Sequence, residues 1–284
     1  MGGIPSSREP SSLSRPVGFD PGRKIRMIDM FAGIGGFSLG LHRTGGFQTA
    51  AVVEIDPYAS KVLAKRIGAE NLGDVTKAEC PDADFICAGF PCQDISHAGR
   101  GAGITGARSG LYGHVVRAIR MVRPQGALLE NVAALLGRGL DRVLGDMAEI
   151  GYDAEWHCIP ASAVGAPHRR DRIWIVANPG SEQHEGCSAP LSGEIAKELS
   201  RTAADAAGIG RGQGNEDAGR RGSRGCAEQG AGPVCGGWWA AEPDVGRVAH
   251  GVPSRVDRLR CLGNAVVPQI PELIGRAILQ SEAA

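Results

Sequence analysis

Apolar and polar positions fall into a regular order from about residue 24. Residues 24–30 (KIRMIDM) read as a strand, followed by a glycine turn and a helix over 36–43. Residues 49–54 (TAAVVE) form a second strand pattern. Asp56 and Pro57 then have the form of an N-cap and a first helical residue, predicting a helix that runs to Ile67 and stops at Gly68. Further strands are predicted over 84–88 (DFICA), 127–130 (ALLE), 154–159 and 172–177 (RIWIVA), with helices over 111–122, 139–150 and 270–280. Alternating strand and helix units predict an α/β fold, a doubly wound, mostly parallel sheet with helices on both faces.

The pattern fades after Ala177. Residues 178–240 hold 14 glycines in 63 positions, and only 193–207 hints at a helix. Four segments are expected: a disordered tail over 1–23, a main domain over 24–177, a small glycine-rich lobe over 178–244, and a segment over 245–284 that returns to the main domain. No run of about 18 apolar residues is present, so no membrane span is expected. The polar N-terminus has no apolar stretch of the secretory type. A cytoplasmic protein is therefore expected.

Composition changes this picture in three places. With 22% charged and 42% hydrophobic residues, the chain is an ordinary globular one. Glycine, 43 of 284 residues, is about twice its usual ~7% share. Net charge is zero, from 31 basic and 31 acidic residues, so any nucleic-acid binding must use local patches. One such patch exists: Arg100, Arg108, Arg117, Arg120 and Arg123 fall in a stretch with no Asp or Glu. The plainer reading, a solvated helix face, suits the last three better than Arg100 and Arg108, which sit in a glycine-rich loop. None of the eight cysteines forms a CxxC pair, and no metal is expected. His184, Cys187, Cys226 and Cys235 are too irregularly spaced to change that.

Candidate chemistry collects at predicted strand ends. The turn Asp29-Met-Phe-Ala-Gly33-Ile-Gly35-Gly36 lets backbone approach a ligand at the carboxyl end of a sheet, though a tight turn serving packing alone would look the same. The dinucleotide pattern G-x-G-x-x-G is not met, because its third glycine falls on Ser38. Glu54 closes the second strand, where an acid commonly holds a ribose diol, and Asp74 follows. Turn and two acids, in that order, fit a nucleoside ligand. Cys92, past a strand end and beside Pro91, is a candidate nucleophile, whereas Cys87 within the strand is expected to be inert. Glu130 ends another strand. Arg170 and Arg172 share a face of extended chain and call for an anion or a carboxylate such as Glu130.

Taken in order, these stretches resemble the C5-cytosine DNA methyltransferases. The matching segments are DMFAGIGGFSLGL (29–41), GFPCQDIS (89–96), ENV (130–132), HRRDRIWIVA (168–177) and GNAVVP (263–268). The resemblance covers about residues 25–177 and 245–280. It implies the Rossmann-like fold of S-adenosylmethionine-dependent methyltransferases, with 178–244 as target-recognition lobe. It implies a pocket for that cofactor formed by Asp29, Phe31, Gly33, Gly35, Gly36, Glu54, Ile55, Asp74, Val75 and Asn264. Cys92 would attack C6 of a cytosine flipped out of double-stranded DNA, so that C5 accepts the methyl group. Glu130 would hold the N3 and amino edge with Arg172, and Arg170 would support that network. Gln93, Ser96, Arg100 and Arg108 would lie near the DNA.

The resemblance also implies a monomer associated with the nucleoid, in a bacterial or phage restriction-modification or protection setting. A cognate restriction endonuclease is a candidate partner. The chain departs from the family pattern at His168, where Gln is usual, and in its short, weakly patterned lobe. Within the lobe, Arg211, Arg220, Arg221 and Arg224 are diluted by acids, and Trp238 and Trp239 are read as packing. Two alternatives remain open: an RNA cytosine-5 methyltransferase and a non-catalytic DNA-binding relative. A nicotinamide dehydrogenase is disfavoured by the missing glycine and leaves Pro91-Cys92-Gln93 unexplained.

Overall fold

The computed structural model describes residue 19 and residues 22–91, 109–180, 192–208 and 253–281. Among these, seven strands form one sheet: β1 (Ile25–Met30), β2 (Phe47–Val53), β3 (Glu70–Asn71), β4 (Phe85–Gly89), β5 (Gly126–Val132), β6 (Tyr152–Pro160) and β7 (Asp171–Pro179). Their order is β3-β2-β1-β4-β5-β7-β6. Strands β1 to β5 pair in parallel, while β7 runs antiparallel to both β5 and β6. The expected mostly parallel α/β sheet is therefore present, with a reversed hairpin at one edge.

The central strands read as unbroken apolar runs because both their faces are covered. Along β7, Ile173, Ile175 and Ala177 face one core, while Trp174 and Val176 face the other. The first core receives α3 (Tyr112–Val122) and α4 (Leu140–Glu149) through Val115, Ile119, Val143 and Met147. The second receives α1 (Gly36–Arg43), α5 (Ser192–Gly208) and α7 (Gln269–Ser281) through Phe37, Leu41, Ile195, Leu273 and Ile274. Helix α5, inside the interval read as a lobe, thus contributes Ile195 to the main core; residues 209–244 lie outside the described residues.

Helix α2 (Pro57–Arg66) begins as its sequence predicts. Asp56 Oδ1 accepts from the N–H groups of Tyr58 and Ala59, each at 2.9 Å, with Pro57 in the first turn. Two elements were not expected. Strand β3 has only two residues. Helix α6 (Arg255–Asn264) buries none of its residues, so it carries no apolar stripe to read. No helix among the described residues is long and apolar enough to cross a membrane.

The chain travels outward from β1 to β3 and then returns to β4 on the other side of β1. Neighbouring connections therefore diverge at the carboxyl ends of β1 and β4, which opens a crevice there.

Candidate active site

A cavity of about 600 Å³ fills that crevice. Phe31 and Gly33 after β1, Glu54 and Ile55 after β2, and Gly89 to Pro91 after β4 form its walls. Asp74 and Val75 close one side, Glu130 and Asn131 another, and α6 a third through Arg260, Cys261 and Asn264. The cavity thus brings together Phe31, Gly33, Glu54, Ile55, Asp74, Val75, Glu130, Arg170, Arg172 and Asn264 from the sequence reading.

The acidic side is built on backbone amides. Glu54 Oε2 accepts from Gly33 N–H and Oε1 from Asp56 N–H, both at 2.7 Å. The carboxylate therefore ties the glycine turn to the start of α2. Phe31 takes a positive φ of 55° and Gly33 the same value, which turns the chain sharply out of β1. Ile55 is 70% exposed, an apolar side chain standing in a polar surround. Asp74 Oδ1 accepts from the Thr76 N–H (2.9 Å) and hydroxyl (2.8 Å), and these bonds hold its carboxyl below the usual range.

The opposite side is a carboxylate paired with an arginine. Arg172 Nε donates to Glu130 Oε1 at 2.9 Å. The antiparallel register produces this pair: Arg172 lies opposite Val132, so Glu130 is its diagonal neighbour on the same face. Burial pushes the Glu130 carboxyl above the ordinary carboxylate range, and the Arg172 and Arg170 cations pull against it. Asn131, buried, donates from Nδ2 to Phe90 O (3.3 Å) and so fastens the end of β4 to β5.

Three expected site residues take other positions, and a fourth, Arg170, has a further duty. Asp29 does not line the cavity. Its side chain lies in the second core's face of β1, where Oδ2 accepts from Ser38 N–H (3.1 Å) and hydroxyl (2.7 Å) on α1. Gly35 and Gly36 are likewise outside the cavity lining. Gly35 caps α1 at φ 86°, and a Cβ on Gly36 would come within 2.7 Å of Val266 O, so both serve packing. Arg170 does line the cavity, at φ 37°, but its guanidinium donates to Gly263 O (2.8 Å) and Ala265 O (2.9 Å). It fastens the turn after α6, in addition to adding charge near Glu130.

Cys92, Gln93, Ser96, Arg100 and Arg108 lie outside the described residues, as do His184, Cys187, Arg211, Arg220, Arg221, Arg224, Cys226, Cys235, Trp238 and Trp239. Pro91, directly before Cys92, lines the cavity. Cys87 is fully buried, and burial pushes its thiol well above the usual range, consistent with an inert role. Arg117, Arg120 and Arg123 are exposed on and just past α3. Arg120 pairs with Glu149 at 3.7 Å and Arg123 lies over the Tyr152 ring.

Asp56, Arg260 and Cys261 are among the lining residues that sequence reading did not place in the site. Asp56 carried a complete explanation as a helix cap, and α6 gave no periodic signal.

Burial raises the Asp29 carboxyl from 3.8 to about 7, the Ser38 bonds oppose this, and the Glu54 charge adds to it. Between those values the folded state holds a proton that the unfolded chain has lost. Stability therefore falls as pH rises through this window, by roughly 4 kcal/mol in all. Asp29→Asn is expected to remove that slope, so its stability relative to the native chain grows from pH 4 to 7 and is level above. Urea midpoints at pH 5 and 8 check this; a pH-independent difference would count against it.

Fold and cavity together define a doubly wound α/β protein with an acid-lined crevice at its switch point and a carboxylate–arginine pair across it. The chain belongs to the C-5 cytosine-specific DNA methylase family, whose model matches residues 25–207. It is 39% identical over 160 residues to the Type II methyltransferase M1.ScrFI of Lactococcus lactis subsp. cremoris, covering 54% of this chain and 41% of that protein. It is 37% identical over 169 residues to the Type II methyltransferase M.BanI of Aneurinibacillus aneurinilyticus, covering 56% and 40%. These matches therefore span less than half the length of either relative. A solved structure of a putative DNA modification methyltransferase encoded within an Escherichia coli prophage aligns with a TM-score of 0.47 at 26% identity, covering 58% of this chain and 49% of that one.

Proposed function

We propose that this chain is a DNA cytosine-5 methyltransferase that uses S-adenosylmethionine. One observation carries the reading: a single cavity joins Glu54 and Asp74 on one side to the Arg172-paired Glu130 on the other, with Pro91 in its wall one residue before Cys92.

The residues fit the cofactor. Each Glu54 oxygen accepts one backbone N–H, which leaves each a further acceptor site for a ribose hydroxyl. Phe31 and Ile55 offer apolar surface to an adenine ring, and the exposed Asp74 can accept from its amino group. Val75 and Asn264 complete that end. When bound, S-adenosylmethionine supplies the electrophilic methyl group that C5 of cytosine takes.

The chain's own residues prepare the base. The Cys92 thiolate forms a bond to C6, which breaks ring aromaticity and moves electron density to C5. Neutral cytosine offers an acceptor at N3 and a donor at its amino group. A carboxyl that meets both must carry a proton on one oxygen, and the burial that raises Glu130 favours that form. Arg172 fixes the second oxygen. Loss of the C5 proton then returns electrons to the ring and expels the Cys92 thiolate. Arg170 positions the 263–265 turn beside these groups, and Gln93, Ser96, Arg100 and Arg108 contact the DNA.

The likeness to Type II enzymes extends the proposal to a restriction-modification or protection setting, with a cognate endonuclease as partner and the enzyme monomeric on DNA. The lobe expected over 178–244 carries target recognition. Methylation sequencing in a bacterium lacking cytosine methylation tests the reading. A recurring methylated motif that disappears with Cys92→Ala supports it. Methyl transfer to RNA alone, or none from a folded, cofactor-binding protein, overturns it.

Glu54→Ala is expected to weaken binding of S-adenosylhomocysteine by roughly 1–3 kcal/mol, the range for hydrogen bonds to a charged group. Calorimetry measures this directly, and unchanged affinity would remove Glu54 from the pocket.

A further inference from the structure

Helix α6 walls the cavity without burying a single residue. Val256 and Leu262 on it are 76% and 42% exposed. A surface helix ordinarily docks by an apolar stripe. This one is held by polar contacts at two points. Arg170 grips its C-terminal end through the carbonyls of Gly263 and Ala265. Midway, Arg260 Nη2 lies 2.6 Å from Asp56 Oδ2 and 3.1 Å from Asp257 Oδ1.

The partner of Arg260 lies within the acidic side of the cavity. Asp56 caps α2 with its other oxygen, and its N–H donates to Glu54 Oε1. Glu54 Oε2 in turn accepts from Gly33 N–H. Arg260, Asp56, Glu54 and Gly33 therefore form a continuous polar chain from α6 to the turn after β1. Arg260, Asp56, Glu54 and Gly33 all line the cavity.

We propose that Arg260 is a positioning residue for the cofactor: by holding Asp56 it latches α6 across the cavity and fixes the Glu54 carboxylate, so that α6 docking and cofactor binding are linked. The proposal rests on the reading that this cavity takes S-adenosylmethionine. An exposed ion pair adds little to global stability. A wall that must be in place before the ligand is held makes that small contribution part of the binding equilibrium. Binding energy from the closed wall should in turn favour docking. Being half-exposed, the latch is also open to screening by salt.

Calorimetry with S-adenosylhomocysteine on the full chain tests this, comparing the native protein with Arg260→Ala, Arg260→Lys, Asp56→Asn and the Ala/Asn double variant. Asparagine keeps the helix cap while removing the charge. Arg260→Ala and Asp56→Asn should each weaken binding about two- to fivefold, and the double variant no further than either. Arg260→Lys should recover part of the loss. Raising salt from about 0.05 to 0.5 M should weaken the native protein's binding more than the variants'. In turnover, the change should fall on KM for the cofactor rather than on kcat. Equal affinities across the set, additive losses, or a kcat effect without a KM effect would overturn the latch. Should Arg260→Ala fail to fold, Arg260→Lys and Asp56→Asn decide the matter by the same affinities. A native protein that binds no S-adenosylhomocysteine would instead overturn the reading of the cavity itself.

Discussion

Cys92→Ser is expected to abolish methyl transfer, by more than about a thousandfold, while leaving affinity for S-adenosylhomocysteine within a factor of about two. A serine hydroxyl is almost wholly protonated at neutral pH and is a much weaker nucleophile than a thiolate. Without a bond at C6, C5 stays too electron-poor to accept a methyl group. The cofactor side of the cavity, built on Glu54 and Asp74, belongs to other segments of chain and does not depend on the sulfur. Radiolabelled methyl incorporation and calorimetry on one preparation separate the two quantities. Parallel loss of both would show that residue 92 shapes the cofactor site and is not simply the nucleophile.

Glu130→Gln is expected to lower the methylation rate by roughly 10²–10⁴, the range for removing a general acid–base group. The amide can still accept from Arg172 Nε, so the change tests proton holding more than packing. A signature in pH should accompany it. Burial raises the Glu130 carboxyl, and the protonated form, which meets N3, is the one present below that raised value. The native rate should therefore fall as pH rises through the carboxyl's titration, and the Gln variant should lack this limb. A variant retaining both rate and pH profile would assign the proton at N3 to another group. Single-turnover rates between pH 5 and 8, with cofactor binding measured alongside, give the answer.

Much of the fold was legible because its signals are local. The Asp56-Pro57 start of α2 is a matter of three neighbouring residues and their amides. The apolar runs of β4, β5 and β7 announced strands covered on both faces, as they are. Arg172 was expected to need a carboxylate, and Glu130 supplies it. Other residues carry duties the sequence does not show, where one pattern serves two purposes. Asp29 and Gly36 belong to a turn that looks built for a ligand, yet one anchors Ser38 and the other lets Val266 approach. Arg170 was grouped with Arg172 by their shared face, but its guanidinium goes to backbone carbonyls in a distant turn.

By itself, the sequence determined the alternation of strands and helices, the sharp turn after β1 and the identity of the acids at the strand ends. Those features depend on side-chain period, backbone freedom and capping, all settled within a few residues. Tertiary structure alone decided that β7 runs antiparallel to β5, which sets Arg172 diagonally from Glu130. It also decided that Asp29 faces the second core and that α6 crosses the cavity to bring Arg260 to Asp56. These outcomes turn on strand direction, register and polar contacts between distant segments. A helix held by two arginines and no apolar stripe leaves no period in the sequence to read.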